Sequence, residues 1–416
     1  MLFRFSLYGF LKNQRYFEAF LYLAFLDKGL DFFQIGMLVG LRSLAVSVME
    51  IPSGAIADVF GRRHSLVLSL LAYIGGFVVL GAVRQLGPLA VGMCLLAVGD
   101  SFRSGTHKAM IFAWLSRQGR SDDRVEVYGY TRSWSKFGSA VSVIGGVVIV
   151  LVSDGYAWVF YATAVPYVLG VINIIGYPAA LDSPEASNRS LGGVVRHLAQ
   201  SVGTAFRQAS LRRLTMESMG FDGVFAAVKD YLQPVLEAAA ISMAAAITVT
   251  SRVSLTQRTA LLVGPVYVVL YLLAGLASRR SHHVSVAARG EDRGARLLWG
   301  ANVAVFAGLL ACGWFDVAAG LICGFMLLHV LHNLWRPILI SRFDAYGDES
   351  QGASLLSIES QAQRVATMIL APLLGLAVDW ARADGHGGAF WPIGAVGAII
   401  SLIFLVTSLR PANRAV

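Results

Sequence analysis

The sequence predicts an all-α membrane protein of about twelve transmembrane helices, arranged in two six-helix halves around a central cavity. Three observations point there. Of the 416 residues, 56% are hydrophobic and only 14% are charged. A soluble domain carries about 25% charged residues, so lipid has to solvate much of this surface, and the mean hydropathy of +0.63 agrees. The apolar runs are long and continuous, as at 66–83, 156–181 and 297–314, whereas a closed β-barrel, the other spanning architecture, reads as short alternating segments. Finally, the basic residues gather on one side of the membrane when the loops between the runs are assigned alternately.

Taken in order, spans are expected near 8–26, 33–57, 66–83, 89–115, 128–152, 156–181, 211–236, 257–278, 296–312, 315–341, 354–379 and 391–408. At roughly 20 apolar residues each, they use about 240 residues and leave no room for a soluble domain. The first is the least hydrophobic, since Lys12, Arg15 and Glu18 interrupt it. The Ala- and Thr-rich stretch 237–256 reads as a re-entrant or outer loop. The longest polar stretch contains Pro184 and several Ser, Asn and Arg residues. It divides the chain into an N-terminal half, 1–181, a cytoplasmic linker, 182–210, and a C-terminal half, 211–416. Two similar halves joined in this way are the pattern of repeat-built transporters. A short internal echo supports it: Pro52-Ser-Gly54-Ala-Ile-Ala-Asp58 ends span two, and Pro372-Leu-Leu-Gly375-Leu-Ala-Val-Asp379 ends span eleven.

With the N-terminus in the cytoplasm, the inner loops and ends hold nineteen Lys and Arg, and the outer side holds five: Lys28, Arg84, Arg252, Arg258 and Arg382. The positive-inside rule selects this orientation. Both termini are then cytoplasmic, with the chain in the cell (inner) membrane. Topology also accounts for the formal net charge of +9; a nucleic-acid reading would need a basic patch on a folded soluble domain. No cleaved leader is expected, because Arg4, Lys12 and Arg15 run straight into the first span without a small-residue cleavage site. Cys94, Cys312 and Cys323 lie in or beside apolar segments without metal or disulfide spacing and read as small core residues.

The strongest local signal is Gly54-Ala-Ile-Ala-Asp58-Val-Phe-Gly61-Arg62-Arg63-His64, between spans two and three. Gly54 is expected to let helices approach closely and Gly61 to allow a tight turn. Arg62 and Arg63 are placed to pair with Asp58 or with carbonyls at a neighbouring helix end. This stretch closely resembles the loop signature of the major facilitator superfamily, roughly Gly-x-x-x-Asp-x-x-Gly-Arg-Arg/Lys. The preceding Glu50-Ile-Pro-Ser resembles its drug- and tetracycline-efflux branch. The likeness continues in Gly99-Asp-Ser-Phe-Arg103-Ser-Gly105-Thr, in Arg336-Pro337, and in the Ala-Ser-Leu-Leu-Ser-Ile run leading to Ala371-Pro372. It implies the major facilitator fold, a loop motif that latches the cytoplasmic side, and secondary transport with efflux favoured. Two features depart from that branch: span five has Gly138 and Gly145-Gly146 but no Gly-Pro, and span four carries His107-Lys108 where relatives often have acidic residues.

Charges at membrane depth are costly and usually face a cavity or one another. Helical spacing places several of them on single faces: Asp100, Arg103, Ser104 and His107 in span four; Arg132, Ser135, Lys136 and Ser139 in span five; Thr215, Ser218, Asp222, Lys229 and Gln233 in span seven; His329, His332, Asn333 and Arg336 in span ten; Ser357, Ser360, Gln361 and Arg364 in span eleven. Arg15, Glu18 and Tyr22 add a stripe in span one. These stripes read as the walls of a shared aqueous cavity, with interhelical ion pairs that hold the bundle together as the competing reading. A carboxylate beside a guanidinium stays ionised, so Asp222 and Glu18 are better proton carriers than Asp100. Histidine is the side chain suited to proton transfer near neutral pH, so His329 and His332 are expected to relay protons. The cations Arg103, Lys108, Arg132, Lys136 and Arg336 read either as a funnel for anionic solutes or as a gate against Asp122, Asp123 and Glu126.

No Walker lysine motif, His-Glu-x-x-His or Gly-x-Ser-x-Gly occurs, so neither ATP drive nor enzyme chemistry is indicated. The expected protein is a monomeric secondary transporter of a small organic solute, without metal or cofactor, working by alternating access with proton coupling. The alternatives are a non-transporting sensor or scaffold of the same fold, and a relative that moves lipid.

Overall fold

The structure, a computed structural model, describes residues 1–178, 181, 208–246, 253–344 and 352–408. The expected linker 182–210 falls almost wholly outside them. Among the described residues every regular element is helical. Nine of these helices are long and apolar enough to cross a membrane. They correspond to the expected spans two to six and eight to eleven. Two shorter apolar helices, Leu2–Leu11 and Trp391–Thr407, belong to the first and last spans, and the seventh span is assembled from short pieces. The twelve-helix expectation is consistent with this arrangement.

The helices separate into two compact units. The first holds residues 1–29, 41–195 and 251–264. It contains α1 (Leu2–Leu11), α2 (Leu21–Asp27), the later part of α3 (Phe32–Phe60), α4 (Arg62–Ala82), α5 (Leu86–Arg103), α6 (Thr106–Arg117), α7 (Arg124–Ser153) and α8 (Ala157–Ile175). Within it α4 packs on α5 and α8, and α1 packs on α7. Its core includes Phe17, Tyr73, Phe77, Phe160 and Tyr167, which contact one another at ring level.

The second unit holds residues 30–40, 196–250 and 265–416. It contains α9 (Ala209–Ser218), α10 (Val224–Val228), α11 (Leu232–Ala246), most of α12 (Leu255–Ala287), α13 (Glu291–Trp314), α14 (Ala318–Asp344), α15 (Gly352–Asp384) and α16 (Trp391–Ser408). Here α13 packs on α14 and α16. Trp299 and Trp335, both fully buried, stack with Phe221 and Phe404 to form the core. The first turns of α3 lie directly on α15. A Cβ on Gly36 would overlap the Ala371 carbonyl oxygen, and one on Gly375 would overlap that of Phe32. Asp379, at the far end of α15, accepts the free backbone N–H groups of Phe32 (3.1 Å) and Phe33 (2.7 Å) and so caps α3 from outside its own helix.

Four expected elements differ. Span one starts at Leu2 and is interrupted between α1 and a short 3₁₀ turn at Glu18–Phe20. The polar run there turns back on the chain: the Asn13 amide donates to the Gly9 carbonyl at 2.7 Å, and that of Gln14 donates to the Gly138 carbonyl at 3.0 Å. Span four breaks at Ser104-Gly105, where Gly105 takes a left-handed φ of 72°, a conformation glycine adopts freely. Span seven contains a π-helical turn at Met219–Gly223 and a 3₁₀ turn at Lys229–Tyr231. The stretch expected as a loop from 237 onward is helical through Ala246, as its run of strong helix-forming alanines favours; residues 247–252 are outside the described set.

Candidate functional site

In the loop motif, Gly61 has a φ of 93° and starts α4, so the tight turn expected of it is present. Arg63 donates to the Tyr177 carbonyl, just past α8, at 3.1 Å, which is the pairing with a neighbouring helix end that the motif suggested. Gly54 behaves otherwise. A Cβ there would meet open space among the described residues, so the residue marks an exposed helix surface rather than a close helix crossing. The side chain of Asp58 lies outside the described set. Arg62 forms the first turn of α4.

The first unit gathers guanidiniums around one carboxylate. Arg42 of α3 reaches Asp100 at 2.6 Å, Arg103 at 3.4 Å and Arg15 at 3.6 Å. The Tyr73 hydroxyl donates to Asp100 and accepts from Arg15 at 3.1 Å. The Tyr167 hydroxyl accepts from Arg15 at 3.2 Å and donates to the Lys12 carbonyl at 2.8 Å. Three cations thus meet a single negative charge, with two phenols bridging them. The cluster is a rigid network whose formal charge is positive. Glu18 sits one turn from Arg15 and is exposed, whereas Ala19 and Phe20 of the same 3₁₀ turn are buried.

His107 leaves the stripe expected of span four. The break at Gly105 turns α6 away, and the imidazole stacks on Tyr8 at 4.2 Å. It lines a separate cavity of about 230 Å³ in the first unit, together with Lys12, Arg132 and Lys136. Thr131, Ser135 and Ser139 complete the polar wall on α7, so the face expected of span five borders this cavity of the first unit. Of the acidic residues expected to gate against these cations, Asp123 pairs with Arg120 at 2.6 Å.

The second unit reverses the charge ratio. Asp222 and Glu359 are almost completely buried and share one guanidinium. Arg336 grips Glu359 with both nitrogens at 2.5 and 2.9 Å and reaches Asp222 at 3.1 Å. The Ser218 hydroxyl donates to Glu359 at 2.6 Å, and Nε2 of His332 lies 3.2 Å from the other Asp222 oxygen. Asp222 reaches this position from the π turn, whose two glycines press against Phe404 and Ala366. Below it, Phe221 stacks on Trp335 at 4.4 Å. Phe225 separates the two histidines of α14, stacking on His332 at 4.0 Å and meeting His329 edge-on at 4.9 Å. His329 and Asn333 bond within their own helix, the Asn333 amide donating to the His329 carbonyl at 2.8 Å. Lys229 pairs with Asp230 at 2.8 Å. Arg364 is half-buried farther along α15.

The structure therefore unites Asp100 with Arg103, and Asp222 with His332 and Arg336. It separates His107 from the former pair. Glu359, Arg42, Tyr73 and Lys12 were missing from the expected site. Glu359 and Arg42 carried a readable signal: each is a charge inside an apolar span, which is the same cost that singled out the others. Among the described residues no group of three or more His, Cys, Asp or Glu side chains is placed to hold a metal ion.

Comparison with known proteins places this geometry. The sequence profile of the Major Facilitator Superfamily matches residues 13–352. A segment of 69 residues is 35% identical to the probable polyol transporter 3 of Arabidopsis thaliana, covering 17% of this chain and only 14% of that protein. Among solved structures, nucleoside transporter NupG is similar over 98% of both chains, with a TM-score of 0.78 and 11% identity. Peptide transporter POT in complex with sulfate is similar over 98% of this chain and 94% of its own, with a TM-score of 0.68 and 14% identity. The chain is a multi-pass integral membrane protein of a transporter family, not an enzyme, and it belongs to the Major Facilitator Superfamily.

Proposed function

We propose that this chain is a secondary active transporter that moves a small organic solute by alternating access and couples that movement to protons. The observation that carries the reading is the pair Asp222 and Glu359, which share the single guanidinium of Arg336 in the core of the second unit. With both carboxylates ionised, one negative charge is left over. A proton removes it, and His332 stands against Asp222 as the group to deliver or receive that proton. Glu18 is a second, more exposed acceptor. Asp100, surrounded by three guanidiniums, has no need of a proton and serves as a fixed anchor.

In this reading residues 1–181 and 211–416 are the two alternating halves, joined by 182–210, and the protein works as a monomer in the cell membrane with both termini in the cytoplasm. Outward movement is favoured by the likeness of Glu50-Ile-Pro-Ser and the loop motif to efflux pumps. The similar proteins are named for polyols, nucleosides and peptides, so they do not by themselves select a solute.

The test is purified protein in liposomes carrying a pH-sensitive dye. Solutes that raise its thermal midpoint are added on one side. The expected result is proton movement that starts with the solute and disappears in Asp222→Asn and Glu359→Gln. Solute flux that ignores an imposed pH gradient, and is unchanged in both variants, would overturn the coupling assignment. A protein that binds solute without any flux would instead be a sensor of the same fold.

A further inference from the structure

The cavity in the first unit has a one-sided chemistry. Lys12 approaches it from α1, Arg132 and Lys136 from successive turns of α7, and His107 from α6. No acidic side chain joins its lining among the described residues. Nor does Lys12, Arg132 or Lys136 form an ion pair with a described residue. The Nε2 of His107 is shielded from solvent and has no hydrogen-bond partner among the described residues. Of the acidic residues weighed as a gate against these cations, Asp123 is already held by Arg120. The neighbouring network around Asp100 does not neutralise them either, because it carries two cations in excess. Thr131 and Ser135 line the same space, although their hydroxyls donate to carbonyls of their own helix, those of Tyr128 and Thr131.

A concave, low-dielectric wall lined by one sign of charge focuses the field and concentrates ions of the opposite sign. An anionic oxygen group matches the chemistry of the wall, which offers ammonium and guanidinium groups for charge, with an imidazole at its edge. At about 230 Å³ the cavity lies below the usual range of drug-sized sites, roughly 300–1,000 Å³, which suits a compact headgroup better than an extended molecule.

We infer that this cavity binds the carboxylate or phosphate group of an anionic ligand, held by Lys12, Arg132 and Lys136 with His107 alongside. The inference deepens the transport reading above and rests on it for the claim that the ligand is carried. The binding claim itself stands on the cavity.

The full-length protein is reconstituted in nanodiscs of phosphatidylcholine and titrated with inorganic phosphate at constant ionic strength, following the thermal midpoint. The midpoint is expected to rise with phosphate, and Arg132→Gln and Lys136→Gln are expected to weaken binding at least tenfold, roughly the worth of one charged hydrogen bond. Urea-sized neutral solutes such as glycerol are expected to leave the midpoint unchanged. Absence of a phosphate shift, or an equal shift in both variants, overturns the inference. A second readout needs no ligand. The ligand-free midpoints of the two variants should match or exceed the parent's, and a fall of more than ~4 °C would show that each cation holds the fold through a protein partner, which also overturns it. Repeating the titration in nanodiscs containing phosphatidylglycerol separates the sources: loss of the phosphate shift there assigns the site to a lipid headgroup, and its persistence assigns it to a free solute. Phosphate binding without flux of any anion in liposomes would remove the transport reading and leave the site. Flux of neutral solutes without a phosphate shift would do the reverse.

Discussion

Arg336 is asked to satisfy two carboxylates at once. Removing it leaves both Asp222 and Glu359 buried without a cation, and an orphaned buried charge costs about 3–5 kcal/mol. Arg336→Ala is therefore expected to lower the thermal midpoint sharply, while Glu359→Gln, which keeps the contact and removes the charge, folds with a midpoint near the parent's. A comparison of the two variants by thermal unfolding checks this, and equal midpoints would mean that Arg336 does not carry the load assigned to it. On the other side, Tyr73→Phe removes one donor to Asp100. The expected loss is ~2 kcal/mol, as for a hydrogen bond to a charged group. At this scale much of the chemistry could be read in advance. Asp100, Arg103, Asp222, His332 and Arg336 were marked by the cost of charge in lipid and by their spacing on single helix faces. Glu359 and Arg42 obeyed the same physics but lay off those faces, because spacing within one helix says nothing about a partner arriving from another.

Helices meet most tightly where side chains vanish. Gly36 and Gly375 let α3 and α15 touch backbone to backbone, the kind of approach that small residues permit in membranes. Gly375→Val should push these helices apart and, as overpacking does, cost about 1–3 kcal/mol; a midpoint unchanged from the parent's would show that the contact is loose. Gly61→Ala acts differently, since the backbone between α3 and α4 has a φ of 93° and a ψ of 149° at this residue, a conformation that strains any side chain by roughly 1–3 kcal/mol, and its expected effect is a moderate fall in midpoint without change in solute binding. The positions of the long elements followed from hydropathy alone. Their interruptions did not. The break at Gly105 rests on a single residue's backbone conformation, a φ of 72°, and the turn around Asn13 is held by a hydrogen bond from Gln14 to the distant Gly138 carbonyl; no local pattern reports a bond that spans more than a hundred residues. The Ala-rich stretch to Ala246 was misread because the threonines that follow it, Thr248 and Thr250, weighed against a helix that its alanines in fact extend.

Across the whole chain, the uneven distribution of Lys and Arg gives a test of orientation. A cysteine placed at Gln118, between α6 and α7, should react with an impermeant reagent only from the cytoplasmic side, and one at Gln85, between α4 and α5, only from outside. Labelling of both from the same face would contradict the assigned topology. The family was legible because its loop signature is compact and near-complete in this sequence, whereas the solute was not, since it is set by side chains that converge from separate helices. The π turn at Met219–Gly223 has a further consequence at this scale. It accommodates one residue more than a regular helix would, and each residue of a helix advances its direction by about 100°. Shortening the chain by one residue there would swing everything from Val224 to Ala246 through that angle, presenting a different side to every neighbour. Chain length at this one point is thus a phase setting for the rest of the span, and a deletion that looks local in the sequence would be felt some twenty residues away.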